Sequence, residues 1–333
     1  MKRKKQIRYL LSLLLILLMV GVAEWTNEKE ILFPEMVALT IGLLLVDKRV
    51  WHVQRWQIVL LMSLGAIAGI CIVRYSPLPH LYNLCLAFAF AGLCLLISRT
   101  TLIPLISACV LPVLLHTESV IYPVTVLLLS ALAVLGQKIL ERLGVRNQIS
   151  EARYREQGLK DIGRWLLVLS FVALVSGFAL SIDYPYLILP PLMVTFAEIV
   201  HSKAGFRNRP TQVFLFLVTA ATLGTACQII GYHYFHLPET IVAFCITICL
   251  FFIFEWTGKH FAPAGALAFI PLLLPPEDLI WLPLQAAIGA ALFITIAMVV
   301  FQRCYRWKRA QLAYCFTPTL LRKQLNHRKI KNS

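Results

Sequence analysis

The sequence predicts an all-α, polytopic membrane protein of about 12 transmembrane helices, arranged as two parallel six-helix repeats. Three observations predict this fold class. Hydrophobic residues make up 59% of the 333-residue chain and charged residues only 14%, whereas about a quarter of a soluble domain is charged. Apolar segments of helical length recur along the whole chain. The second half of the chain also repeats landmarks of the first half in the same order.

The apolar segments supply the predicted helices. They fall at about 8–24, 31–46, 57–74, 81–98, 101–116, 120–138, 164–182, 186–202, 211–231, 238–256, 260–275 and 280–302. The basic stretch Met1–Arg8 before the first segment resembles the start of a signal peptide, but no convincing small-residue cleavage site follows. We therefore expect this segment to be retained as the first helix.

The loops between these segments alternate in charge. The loops form two alternating sets. Of the 31 Lys and Arg residues, all except Lys29 and Arg74 fall in the same set. Because Lys and Arg accumulate in cytoplasmic loops, both termini should be cytoplasmic, and we expect a multi-pass protein of the plasma membrane. The same rule accounts for the formal net charge of +15 without a nucleic-acid partner.

The two halves share an ordered series of landmarks. The run Arg8-Tyr-Leu-Leu-x-Leu matches Arg164-Trp-Leu-Leu-x-Leu, and further glycine and proline positions match in order: Gly21 with Gly177, Gly69 with Gly224, Pro104 with Pro263, and Pro112 with Pro271. The sequence therefore predicts a first membrane repeat over 1–138 and a second over 164–302. A cytoplasmic linker over 139–163 and a basic cytoplasmic tail over 303–333 complete the chain.

The fifth and eleventh segments should be short and broken by proline. Each carries two prolines eight residues apart, and too few apolar residues remain for a straight spanning helix. Interrupted helices at matching positions of two halves are typical of the binding sites of transporters. The candidate substrate-binding residues are therefore Pro104, Pro112, Pro263, Ala264, Gly265 and Pro271.

Acidic residues within apolar runs are candidates for proton or ion coupling. Glu198 and Glu255 each lie near the cytoplasmic end of a predicted helix, and solvated positions at the membrane interface are the alternative for both. The first half has Ile41 and Ser98 at the matching positions, so any such chemistry would be asymmetric. Glu35 also follows Pro34 near the outer end of the second helix, without an assigned role.

Other chemistry has little support in the sequence. The nine cysteines form no CxxC pair and no metal-ligand spacing, so we expect no disulfide, no metal and no cofactor. Nucleophile, zinc and phosphate-binding motifs are missing as well, so we expect no catalytic residues and no enzyme.

The second half, roughly 186–300, resembles the HPP family of integral membrane proteins, named for a His-Pro-Pro-Ala-Gly-Ala motif. The corresponding run here begins Phe261-Ala262 and continues Pro-Ala-Gly-Ala, so the motif's His and first Pro are replaced, and His260 lies one position early. The resemblance implies a permease for a small anion such as nitrite. The six-helix unit with its basic linker is also similar to the fusaric-acid-resistance and aromatic-acid-exporter group, which moves larger organic acids.

The first functional hypothesis is therefore a secondary transporter for a small anion, with its site between the two repeats. The lipid bilayer would surround the protein. The basic tail 303–333 would either bind anionic lipid headgroups or act only as a disordered anchor of the topology. An aromatic-acid exporter is one alternative. A membrane scaffold or sensor acting through 139–163 and 303–333 is another, and homo-oligomerisation is left open.

Overall fold

The computed structural model describes residues 2–147, 159–201 and 209–304, and this part of the chain is helical without any strand. The helices are α1 Lys2–Thr26, α2 Glu35–Thr40, α3 Arg55–Tyr75, α4 His80–Ser98, α5 Leu105–Leu114, α6 Ile121–Arg142, α7 Leu159–Ser181, α8 Pro190–His201, α9 Pro210–Cys227, α10 Glu239–Thr257, α11 Ala262–Phe269, α12 Pro276–Leu279 and α13 Leu282–Cys304. Three helices continue with altered pitch: α2 and α9 as π-turns to Leu45 and Tyr234, and α11 as a 3-10 turn to Leu273. Residues 148–158 of the predicted linker and 305–333 of the predicted tail lie outside the described residues.

Eight of the described helices are long and apolar enough to cross a membrane, namely α1, α3, α4, α6, α7, α9 with its π-turn, α10 and α13. Their apolar faces are only partly buried against one another, as expected when the remaining face meets lipid. The chain is thus a multi-pass, all-helical membrane protein. The predicted fold class is confirmed to this extent.

The other predicted spans, α2, α5, α8 and α11, are short helices. They contain 6, 10, 12 and 8 residues, and Glu198 of α8 is their one residue that is not fully buried. A helix of 12 residues rises only about 18 Å, which is less than the roughly 30 Å of a bilayer core. The eight long helices therefore enclose four short ones. Short helices were expected at α5 and α11 but not at α2 and α8.

Several helix contacts of the first half have counterparts in the second half of the described chain. Helix α3 contacts α5 and α6, and α9 makes the matching contacts with α11 and α13. Between the halves, α1 packs against α10 and α7 packs against α4. The short helices also cross-pair, α2 with α11 and α8 with α5. Each half thus supplies one short helix to each of two central pairs.

The bundle has two distinguishable ends. At the end that carries the start of α1, which we call the N-terminal face, Arg8 lies against the carboxyl end of α2. At the opposite end, the distal face, the Glu24 carboxylate accepts hydrogen bonds from the backbone N–H groups of Glu239 and Thr240, both at 3.0 Å. A carboxylate at a helix N-terminus offsets the positive end of the helix dipole, so this contact fastens α1 to the start of α10.

The last carbonyls of the α2 segment are satisfied by arginines. Arg8 donates through Nε to the Leu44 carbonyl at 2.6 Å and through Nη2 to the Leu45 carbonyl at 2.5 Å, and it pairs with Asp47. Arg146 donates to the Val46 carbonyl at 2.8 Å. Terminal helix carbonyls have no partner within the helix, so buried ones need donors of this kind.

Matching glycines let the long helices approach the prolines of the short ones. Gly69 of α3 lies against the Cys109 carbonyl and Pro112 of α5. Gly224 of α9 lies in the same way against the Ala268 carbonyl and Pro271. In both places a Cβ would overlap a backbone carbonyl, so only glycine fits.

Substituting either glycine by alanine should destabilise the fold. Because a backbone carbonyl cannot move aside cheaply, we expect Gly69→Ala and Gly224→Ala each to cost about 1–3 kcal/mol. Gly163→Ala is the control, since no atom lies within 4 Å of its added Cβ. Thermal unfolding of the purified protein in detergent measures the effect. Equal melting temperatures for all three variants would contradict the packing described here.

Candidate functional site

The N-terminal ends of the four short helices surround one small buried cavity, which we call the central cavity. Its volume is about 10 Å³, and it is lined by Glu35, Ala38, Pro104, Ser107, Pro191, Val194, Ala262, Pro263 and Ala266. This is room for a single water-sized species. Each of α2, α5, α8 and α11 therefore contributes lining residues from its start.

The central cavity lies deep in the bundle. Phe33, just before α2, donates its backbone N–H to Met19 Sδ at 3.3 Å. Met19 lies about 16 Å along α1 from Arg8 and about 10 Å from Thr26. The start of α2 is thus far from both ends of the longest neighbouring helix, and the cavity beside it is at mid-depth.

Prolines mark the helix starts around the cavity. Pro104 directly precedes α5, Pro191 lies in the first turn of α8 and Pro263 in the first turn of α11. Proline suits a first turn because its fixed φ matches the helix and its missing N–H would have had no helical partner there. Several first-turn N–H groups already donate to carbonyls just before the helices, and the helix dipoles make these ends electropositive.

Glu35 is the acidic group of the central cavity. Its side chain is 1% exposed, and the Ser107 hydroxyl donates a hydrogen bond to its Oε1. Its Oε2 has no hydrogen-bond partner among the described residues. No Lys, Arg or His lines the cavity. The helix ends and the Ser107 hydroxyl are therefore what the carboxyl group meets.

The structure brings two of the six predicted substrate residues together. Pro104 and Pro263 both line the central cavity. Gly265 instead faces α2, where an added Cβ would overlap Ile41. Neighbouring Ala264 is buried outside the cavity lining. Pro112 and Pro271 lie about two helical turns further along, against the α3 and α9 glycines.

The two predicted coupling acids lie outside the central cavity. Glu198 is partly buried about two turns along α8 from Pro191, and the Trp51 indole N–H approaches its Oε1 at 3.4 Å. Glu255 is exposed at the N-terminal face, where it pairs with Lys5 at 2.7 Å. Sequence reasoning named the fully buried acid, Glu35, but assigned it no role. Its signal was an acidic residue directly after a proline within an apolar run.

A chain of hydrogen bonds joins α1, α10 and the start of α11 at the N-terminal face. The Tyr9 hydroxyl donates its one proton to Glu255, so His260 Nε2, 2.7 Å away, must donate to the Tyr9 oxygen. Burial lowers the pKa of His260, which favours the neutral ring with its proton on Nε2. This network lies directly before α11 and holds its approach in place.

A larger cavity, which we call the vestibule, lies at the distal face. Its volume is about 360 Å³, and its lining includes Lys29, Glu30, His116, Thr117, Tyr186 and Pro275. The carboxyl ends of α5 and α11 form its floor through Leu114 and Leu273. About 10 Å of helix separates Leu114 from Ser107 at the central cavity. The intervening residues of α5 are buried, so the two cavities are separate in this conformation.

Comparisons with protein-family models, with curated proteins and with solved structures found no match to this chain. The resemblance to the HPP family therefore stays a prediction from the residues. Among the described residues, no group of three or more His, Cys, Asp or Glu side chains is placed to hold a metal ion.

Removing the hydroxyl beside Glu35 should destabilise the protein. Ser107→Ala leaves both oxygens of a buried carboxyl without a hydrogen bond, which should cost about 1–3 kcal/mol. Ser170→Ala is the matched control, because its exposed hydroxyl only donates to the Leu166 carbonyl of its own helix. Melting temperatures in detergent should fall for the first variant only. If Ser107→Ala and the wild type have the same melting temperature, the hydrogen bond to Glu35 does not contribute to stability.

Proposed function

We propose that this chain is a secondary transporter for a small anion, and that the central cavity is its substrate site. One observation carries the proposal: four short helices begin around a single buried cavity at mid-depth. Backbone N–H groups and positive dipole ends at helix N-termini bind anions. Broken helices whose N-termini point at an anionic substrate are a recurrent solution in secondary transporters.

The proposal includes two six-helix repeats related by an axis along the membrane normal. The contacts of α3 with α5 and α6 match those of α9 with α11 and α13, and the α1–α10 contact matches the α7–α4 contact. Both correspondences support this symmetry. The paired environments of Gly69 and Gly224 support it as well. In such an arrangement, one half rocks against the other around a site that both halves share. The central cavity meets that condition because each half lines part of it.

A route for the anion follows from the positions of the two cavities. The positive-inside pattern of the sequence assigns the N-terminal face to the cytoplasm and the vestibule to the outside of the plasma membrane. The charges of Lys29 and Glu30 in the vestibule lining offset each other, and His116 there would offer an entering anion a ring N–H. The buried stretch of α5 between Ser107 and Leu114 would then be the closed outer gate.

The central cavity favours a small inorganic anion over a larger organic acid. Its volume of about 10 Å³ and its alanine and proline walls leave no space for an aromatic ring in this conformation. Nitrite, nitrate or chloride requires far less widening. This agrees with the substrate class that the HPP resemblance implies, and it disfavours the aromatic-acid alternative.

Filling the central cavity should block transport. Ala266→Val adds two methyl groups to the cavity wall, whereas Ala291→Val adds the same groups on an exposed face of α13. We expect uptake of nitrate or nitrite by proteoliposomes to fall at least tenfold for Ala266→Val and to stay at the wild-type rate for Ala291→Val. Thermal unfolding would verify that both variants are folded.

The wild-type protein is itself the decisive sample. If proteoliposomes containing it take up nitrite, nitrate, chloride and formate no faster than empty liposomes, the chain is not a small-anion transporter. Equal uptake by Ala266→Val and the wild type would instead move the substrate site away from the central cavity.

A further inference from the structure

The proposed anion site already holds an acidic side chain. Glu35 lines the central cavity, is 1% exposed and leaves Oε2 without a hydrogen-bond partner among the described residues. A negatively charged carboxylate and a bound anion would share a space of about 10 Å³. Like charges at such close range strongly disfavour each other, especially away from water.

The described surroundings of Glu35 supply positive potential from the backbone and not from basic side chains. The lining residues contribute no Lys, Arg or His, so the helix N-termini supply the positive potential. Among the described residues, Tyr122 of α6 is a titratable group that interacts with Glu35, and its hydroxyl donates to the Ala108 carbonyl at 3.1 Å. From α1, the contact beside α2 is the apolar Met19. The lining residues of α8 and α11 are uncharged and apolar.

Protonation of Glu35 would resolve this conflict. A neutral carboxyl group no longer repels the anion, and the protonated Oε2 becomes a hydrogen-bond donor. Oε2 is also the oxygen that has no other partner, while Ser107 holds Oε1. The protonated side chain therefore offers the anion a donor that the ionised side chain cannot.

We propose that Glu35 is the proton-coupling residue, and that the anion binds the central cavity only together with a proton on Glu35. This rests on the proposed transport function. One proton binds Oε2 and one monovalent anion binds the helix ends, so the loaded site gains no net charge. The proton and the anion both leave to the other side of the membrane. The ionised Glu35 carboxylate is then the negative charge that remains in the empty site. The result is electroneutral symport of one proton per anion.

The test uses the full-length protein with nitrate, the anion of a strong acid, which does not cross lipid as a neutral acid. Wild-type affinity for nitrate should fall about tenfold per pH unit on the alkaline side of its profile, because each bound anion brings one proton. Glu35→Gln carries no charge and keeps a donor. It should therefore bind nitrate with the same affinity from pH 5 to pH 8 and transport it without protons.

Two further carboxyl variants make the assignment specific. Glu277→Gln, at an exposed residue of α12, should retain the pH dependence and the proton flux of the wild type. Glu198→Gln should retain them as well, because Glu198 does not line the central cavity. Loss of pH dependence in Glu198→Gln with its retention in Glu35→Gln would overturn the proposal and assign coupling to Glu198.

Ser107→Ala provides an independent readout if Glu35→Gln does not fold. The Ser107 hydroxyl stabilises the ionised carboxylate, so its loss should move the midpoint of the nitrate-binding profile to higher pH. An unshifted midpoint in a Ser107→Ala protein that melts below the wild type would overturn the role of Glu35.

The failures of the two proposals are distinguishable. If wild-type protein binds no nitrate at any pH, the proposed site fails and the coupling proposal fails with it. If the wild type binds and transports nitrate with pH-independent affinity and without proton flux, only the coupling role of Glu35 is overturned.

Discussion

The structure depends on satisfying buried backbone at membrane depth. Four short helices begin and end inside the bundle, and every peptide group at their ends needs a partner because hydrocarbon supplies none. The carboxyl end of the α2 segment is satisfied by Arg8 and Arg146. Arg8 is held in turn by its ion pair with the exposed Asp47, so a polar contact at the N-terminal face supports the carboxyl end of the α2 segment.

The second prolines of α5 and of the α11 segment each leave one buried backbone carbonyl without its helical N–H donor. The two carbonyls receive their hydrogen bonds from different groups. Pro112 cannot donate to the Ala108 carbonyl, and the Tyr122 hydroxyl donates to it instead at 3.1 Å. Pro271 cannot donate to the Leu267 carbonyl, and the Ile270 N–H of the 3-10 turn does so. The asymmetry of the halves therefore extends to the backbone. In the first half it requires a side chain from α6, next to Glu35.

Sequence patterns predicted the fold class and the places of two short helices. Hydropathy detects apolar residues but cannot separate a spanning helix from a short helix with a non-helical approach. For this reason 31–46 and 186–202 resembled full spans, although α2 begins only at Glu35 and α8 only at Pro190. Their shortness follows from tertiary enclosure by the long helices, which no local pattern encodes.

The sequence predicted where in the chain the candidate site lies better than it predicted which side chains line it. The proline pairs indicated the starts of α5 and α11, and Pro104 and Pro263 do line the central cavity. The spacing could not reveal that Pro112 and Pro271 face glycines or that Gly265 faces Ile41, since both are facts of helix rotation. Glu35 and Ser107 are 72 residues apart, so only the fold makes them neighbours.

The glycine contacts also describe how stiff the different helix interfaces are. The carbonyls that pack against Gly69 and Gly224 restrict sliding of α3 along α5 and of α9 along α11, because such a movement would make the two backbones overlap. Gly21 and Gly177, at the α1–α10 and α7–α4 interfaces, meet only side-chain atoms, and an added Cβ there would be 3.6 Å from its nearest neighbour. Resistance to sliding is therefore high within each half, and the α1–α10 and α7–α4 interfaces between the halves are more compliant.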